Sequence, residues 1–279
     1  MTLNGYEKLW SINVPYDPSG LNHFKFSNTT YQADYDLFLQ RIRDSIGKKF
    51  LPIYRMADGE FMFTLKKYLL KKVFYSYLSA DYNIFSTCWG EGYTRKEIKN
   101  IFPLYIEQLQ KIAEKGFFAI HFIESKENSY LELMEPMLNW FAENNISLNE
   151  TNYSSFYYIY ALFSGPHKKE ILEGKNILII SNITNEKESI LRANLLNIEN
   201  AANVEFYQIS SNKSFFEKLD LSKIKLKIDI ALIGAGVGSS NILSQLEPLN
   251  TVCIDAGIVI DLLANPELRF SRLFLNFNP

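Results

Sequence analysis

Short strand-like runs, largely apolar, alternate with stretches of helical periodicity through the last third of this chain. The runs fall at 176–181, 204–209, 229–233 and 251–255, and the helical stretches at 186–197, 214–219 and 239–246. A strand that is apolar at every position is buried on both faces, and such strands alternating with helices predict a parallel sheet covered on each side. The fold class expected is α/β, a Rossmann-like, mostly parallel sheet with helices on both faces.

The earlier part of the chain is less regular. A helix is expected over 33–46, stopped by Gly47, followed by a short buried strand over 50–54 with Pro52 near its start. After Asp58, the residues Phe61, Leu65, Tyr68 and Leu69 recur on one helical face. Thr94 with Glu97, and Ser129 with Glu132, each have capping-box spacing before a helical pattern. Between those helices, 117–122 reads as a buried strand, and Pro103 and Pro136 are expected to kink or divide their helices. Residues 1–32, with Pro15, Pro18 and Gly20, read as an irregular arm. No repeat or low-complexity linker divides the chain, so 1–279 is expected to form one domain whose 175–270 half is Rossmann-like and nucleotide-binding.

Composition narrows the function classes. The 29 Lys and Arg against 31 Asp and Glu leave a formal charge of −2, which argues against a nucleic-acid partner. Cys88 and Cys253 form no C-x-x-C pair, which fits a reducing compartment better than a disulfide or zinc scaffold. His23, His121 and His167 lack metal-ligand spacing. The start of the chain has no basic-then-apolar leader, and the uncharged run 230–246 is too rich in Gly, Ser and Asn for a membrane span. The expectation is a cytoplasmic protein. Lys66, Lys67, Lys71 and Lys72 suit a solvated helix end, or at most a peripheral contact with a membrane. The 21 Phe, 17 Tyr and 3 Trp suit either a bulky core or a cleft that stacks on sugar rings or bases.

Two stretches could carry chemistry. Arg55-Met-Ala-Asp58-Gly59-Glu60 lies where the first strand should turn into a helix, at the strand end where open α/β sheets bind ligands. Two carboxylates across one glycine can face a Mg²⁺ or Mn²⁺ that bridges a diphosphate, and Arg55 can grip a phosphate. The plainer account makes Asp58 an N-cap, Glu60 a first-turn acid and Arg55 their ion partner. The second stretch, Gly234-Ala-Gly236-Val-Gly238, joins a strand to a helix N-terminus, and Asp255 ends the following strand. Backbone N–H groups there can meet a phosphate, with Asp255 on a ribose. Tight turns and close packing would also require those glycines. Trp89-Gly-Glu91-Gly-Tyr93 is either a sugar-packing loop offering Glu91 as an acid or base, or an ordinary turn.

With these residues in view, the chain resembles the GT-D-fold glycosyltransferases, bacterial enzymes that build surface polysaccharides and glycoprotein glycans. Their R-x-G-D-G-E stretch is matched by Arg55 to Glu60 with Ala57 in place of the first glycine. Their later Gly-Ala-Gly turn and strand are matched by Gly234 to Gly238 and by Cys253-Ile-Asp255-Ala256-Gly257, where Ala256 stands for a frequent glycine. The resemblance spans 49–61 and 175–269. It implies Asp58 and Glu60 as the catalytic pair holding Mn²⁺ or Mg²⁺. It further implies a nucleotide-sugar donor, UDP-linked, contacted by Arg55, Gly59, Gly234, Gly236, Gly238 and Asp255, and a glycan or glycoprotein acceptor. Two alternatives stand beside it: an NAD- or S-adenosylmethionine-dependent Rossmann enzyme using Gly234–Gly238 and Asp255, and a non-catalytic carbohydrate-binding or assembly subunit.

Overall fold

The computed structural model describes residues 29–57, 60, 64, 95–120, 131–149, 151–165, 167–210 and 213–265. Expectations for the arm before residue 29, for Asp58 and Gly59, for the amphipathic helix and lysines after Asp58, for Glu91 and its loop, and for Thr94 and Ser129 lie outside these residues.

Seven strands among the described residues form one sheet: β1 (Leu51–Met56), β2 (Phe117–Ile120), β3 (Tyr153–Ser155), β4 (Asn176–Ser181), β5 (Asn203–Gln208), β6 (Ile230–Gly234) and β7 (Val252–Asp255). Their spatial order is β3-β2-β1-β7-β6-β4-β5, and every pairing is parallel. The expected α/β class is therefore what the chain adopts. The inner strands are solidly buried, as Ile177–Ile180 and Ile230–Ile233 illustrate, whereas β5 at the edge is half-exposed. At the adjacent pair β4/β6 the chain leaves neighbouring strands in opposite directions, on to β5 and to β7, and β1/β7 is where the early and late halves of the sheet meet. A switch point such as β4/β6 opens a crevice at the carboxyl edge of a parallel sheet.

Eight helices cover the sheet among the described residues: α1 (Thr29–Ser45), α2 (Arg95–Lys115), α3 (Leu131–Glu143), α4 (Tyr157–Ser164), α5 (His167–Leu172), α6 (Asn185–Asn197), α7 (Ser239–Gln245) and α8 (Val259–Ala264). α2 and α7 pack on each other and on β1, while α4 links α1, α5, α8 and β2. α1 buries Tyr35, Phe38, Leu39 and Ile42, the i, i+3, i+4, i+7 stripe of an amphipathic helix. Pro103 sits on the exposed side of α2, which runs on past it, and α3 likewise contains Pro136; neither helix is divided. The helix expected over 214–219 is shorter, a single 3₁₀ turn at Ser214–Phe216.

Pro52 is tolerated inside a central strand for a geometric reason. The Leu51 N–H donates to the carbonyl of Thr251, the residue just before β7, so the next amide would face β2, whose pairing starts one residue later at Ile53. A Cβ on Gly116, just before β2, would fall 1.9 Å from the Pro52 carbonyl oxygen. The approach of β2 to β1 therefore requires glycine at that position. Both devices hold β1 in the register that carries its last residues to the carboxyl edge.

Candidate active site

β1 and β7 deliver Arg55 and Asp255 side by side at that edge. The Arg55 backbone N–H donates to Asp255 Oδ2 at 3.3 Å, and Arg55 Nε stands 3.8 Å from Asp255 Oδ1. The second distance suits an ion pair but is too long for a hydrogen bond. Nε is buried and has no hydrogen-bond partner among the described residues. The guanidinium lies 5.3 Å from the centre of the Phe156 ring, and Nη1 approaches the Tyr160 hydroxyl at 3.4 Å. On the remaining side is Gly257, at φ +47°, where a Cβ would fall 1.7 Å from Nη2. Glycine is needed there twice over, for the backbone conformation and for the space the guanidinium occupies.

Asp255 is only 1% exposed, and it also accepts a hydrogen bond from Ser239 Oγ at 3.0 Å. Burial pushes its carboxyl up, against the opposing pull of Arg55 and Ser239. Burial likewise disfavours the Arg55 charge, but the Asp255 carboxylate first, then the Tyr160 hydroxyl and the Glu60 carboxylate, outweigh it and keep the guanidinium protonated. The pair is thus a buried ionic couple beside a third charged group, Glu60.

Because side chains alternate along a strand, Tyr54 points to the opposite face from Arg55. Its hydroxyl donates to the Val237 carbonyl at 3.2 Å and lies 3.3 Å from the Tyr105 hydroxyl on α2. Burial raises both phenols above their ordinary range. The neutral hydroxyls tie the glycine turn to β1 and α2. Thr64 Oγ1 donates to the Glu60 carbonyl at 2.7 Å, and Tyr105 also feels the Glu60 charge.

The glycine turn is a 3₁₀ segment, Gly236–Gly238, leading directly into α7. Its three glycines differ. Gly236 is exposed at φ +55°, and Gly234 is half-exposed at the β4/β6 switch point, where its carbonyl accepts from Ser181 Oγ at 3.1 Å. Gly238 is buried, and a Cβ there would fall 2.0 Å from Ser214 Oγ. Close packing accounts for Gly238 and open backbone remains at Gly236, so the two readings of this turn divide between its residues.

Glu60 is 7% exposed, and its Oε2 accepts from the Ala57 N–H at 2.9 Å. This back-bond across three residues has the spacing of the acidic half of a capping box, which puts Ala57 in the N-cap position that the plainer sequence reading gave to Asp58. Its carboxylate is the oxygen donor type that Mg²⁺ and Mn²⁺ favour. Among the described residues no group of three or more His, Cys, Asp or Glu is gathered as a metal site, and Asp58 lies outside them.

The matching family model is the GT-D fold-like domain, which aligns to residues 119–263, a little over half of the chain. The chain belongs to the GT-D-like family. The match to this GT-D-like protein takes in the glycine turn, Asp255, Tyr160 and Gly257, and it begins after the Arg55–Glu60 stretch. Two solved structures also match, each at 15% identity and a TM-score of 0.46, covering 84% of this chain and 86% of theirs. One is a selenomethionine-substituted structure of domain of unknown function 1792, and the other is described as showing that this highly conserved domain has a distinct glycosyltransferase fold. No curated protein matches the chain. No helix among the described residues is long and apolar enough to cross a membrane.

Of the residues singled out in the sequence, the structure gathers Arg55, Glu60 and Asp255 and places the glycine turn behind Asp255 through Ser239. Phe156 and Tyr160 were not foreseen. They sit in an aromatic stretch without polar punctuation, 105 residues from Arg55, and no local spacing connects Tyr160 to it.

Proposed function

We propose that the chain is a metal-dependent glycosyltransferase that moves a sugar from a nucleotide sugar, UDP-linked, to a hydroxyl of a surface polysaccharide or glycoprotein glycan. The observation that carries this reading is the meeting of Arg55, Asp255 and Glu60 at the carboxyl edge of β1 and β7 in a GT-D-like chain. Fold alone would be an analogy; the charged cluster supplies the chemistry.

Transfer joins the acceptor oxygen to the anomeric carbon and breaks the bond from that carbon to the diphosphate, which leaves with the electron pair, while the proton of the acceptor hydroxyl passes to water or to the departing diphosphate. The barrier falls when charge on the departing diphosphate meets a fixed positive group. Arg55 is that group, held protonated and prevented from collapsing onto Asp255 by the Phe156 ring, the Tyr160 hydroxyl and the Gly257 backbone. Asp58 and Glu60 would hold Mn²⁺ or Mg²⁺, which supplies Lewis-acid stabilisation of the diphosphate. The exposed backbone at Gly236 adds a contact to phosphate or sugar. The reading places the reaction in the cytoplasm.

Calorimetric titration of UDP with and without Mn²⁺ tests the reading. Binding that requires Mn²⁺ and disappears in Asp58→Ala is the expected result, with no more than about 1 kcal/mol of stability lost through the cap. Unchanged UDP binding in that variant overturns the metal assignment. Metal-independent binding of NAD or S-adenosylmethionine by the natural chain overturns the donor assignment.

A further inference from the structure

An arginine and an aspartate that share a buried site ordinarily close into a two-point hydrogen-bonded pair, because each then satisfies the other's desolvated polar atoms. Arg55 and Asp255 do not. The carboxylate spends one oxygen on the backbone N–H of Arg55 and the other on Ser239 Oγ, while the guanidinium Nε remains 3.8 Å away and unpartnered. The charge of Arg55 is balanced, but its donors are largely unspent. Three further groups keep it so: the Phe156 ring against the guanidinium, Tyr160 at one end and the bare backbone of Gly257 at the other. An orphaned donor on a buried cation at a strand's carboxyl edge is unfavourable in isolation and is relieved by an anionic oxygen.

We propose that Asp255 is a positioning residue that holds the Arg55 guanidinium with its donors free for the diphosphate of the donor, and that Asp255 does not itself touch the ribose. This rests on the glycosyltransferase reading above. It also replaces the dinucleotide-fold role in which an acid at this strand end accepts from ribose hydroxyls. Asp255 is 1% exposed, with one oxygen on the β1 backbone and the other on Ser239, so a ribose could reach it only if the groups packed over it moved aside. Tyr160 shares the positioning role at Nη1.

Two probes separate these roles, because pyrophosphate has the charged part of UDP and no ribose. Affinities for UDP and for pyrophosphate, each with Mn²⁺, are measured by calorimetry on the natural chain, Asp255→Asn, Arg55→Met, the double variant and Tyr160→Phe. Asp255→Asn is expected to weaken both probes by the same factor, roughly ten- to a hundredfold. Adding it to Arg55→Met is expected to cost nothing further, since the residue it positions is already gone. Tyr160→Phe weakens both probes by a smaller common factor. A general loosening of the fold would not show this loss of effect in the Arg55→Met background. If Asp255→Asn fails to fold because Arg55 is left unbalanced, Arg55→Met against the double variant decides, since a carboxyl that burial already raises can take up a proton when Arg55 is gone and the double variant leaves no charge.

Loss of UDP affinity with pyrophosphate affinity intact overturns the proposal in favour of a ribose contact. A further loss on adding Asp255→Asn to Arg55→Met overturns it as well, as does no loss of either ligand in Asp255→Asn. A natural chain that binds neither UDP nor pyrophosphate removes the donor reading itself, a failure recognisable before any variant is made.

Discussion

Gly238 and Gly257 both exclude a side chain, for different reasons. Gly257 combines a left-handed backbone with the Arg55 guanidinium lying across it. Gly238 has φ −69°, which any residue can adopt, and is restricted by Ser214, whose Oγ would lie 2.0 Å and whose backbone carbonyl carbon 2.9 Å from an added Cβ. Gly238→Ala is therefore expected to cost about 1–3 kcal/mol through overpacking, read from urea denaturation. Part of that loss should return in Gly238→Ala with Ser214→Gly, which removes the clashing side chain; no recovery would place the constraint elsewhere in the turn. At this scale the sequence marked Arg55, Glu60, Asp255 and the glycines, because strand ends and glycine turns have local signatures. It could not mark the 200-residue pairing of Arg55 with Asp255, nor the contact of Tyr160 with Arg55. Those depend on which strands become neighbours.

Among the elements, β4, β6 and β7 lie within a residue of their expected positions, since a short wholly apolar run between turn residues leaves few alternatives. The stretch from β3 to α5 went unforeseen. β3 is three residues long, Tyr153–Ser155, and α4 is almost wholly apolar, so neither shows a period. The 214–219 segment has apolar residues at helical spacing, yet only one turn forms. Its chain is held instead by Asn241 and Gln245 of α7, whose side-chain amides donate to the Glu217 carbonyl. α6 follows the local rules more closely: Thr184 has the extended backbone of an N-cap, and its hydroxyl accepts from the Lys187 N–H. Thr184→Ala should lower stability by about 1 kcal/mol in urea denaturation, and Thr184→Ser should restore most of it.

For the molecule as a whole, two carboxylates tie distant parts together and set its response to acid. Glu170 is held below the ordinary 4.5 by its hydrogen bond to Arg43, and so is Glu247 by Lys115 and Lys111. A carboxyl depressed by folding contributes stability that is present above its unfolded value and lost as pH falls through the folded one. Asp255 has the opposite sign: burial raises its carboxyl, so acidification relieves part of its cost. Both pinned glutamates are substantially exposed, and screening keeps each contribution modest. The urea midpoint of the natural chain is expected to fall between about pH 5 and about pH 3, and to fall less in the Glu170→Gln, Glu247→Gln double variant. An identical acid dependence in the two proteins would show that other groups set it.

The strand order has a consequence for how the protein is made. Without β7, the sheet is two unconnected three-stranded pieces, β3-β2-β1 and β6-β4-β5, and β7 is the last strand of the described chain to leave the ribosome. It is the keystone of the sheet, and its final residue is Asp255. A nascent chain therefore has no continuous sheet, and no Asp255 beside Arg55, until synthesis has passed residue 255, so the site and the finished fold come into being together.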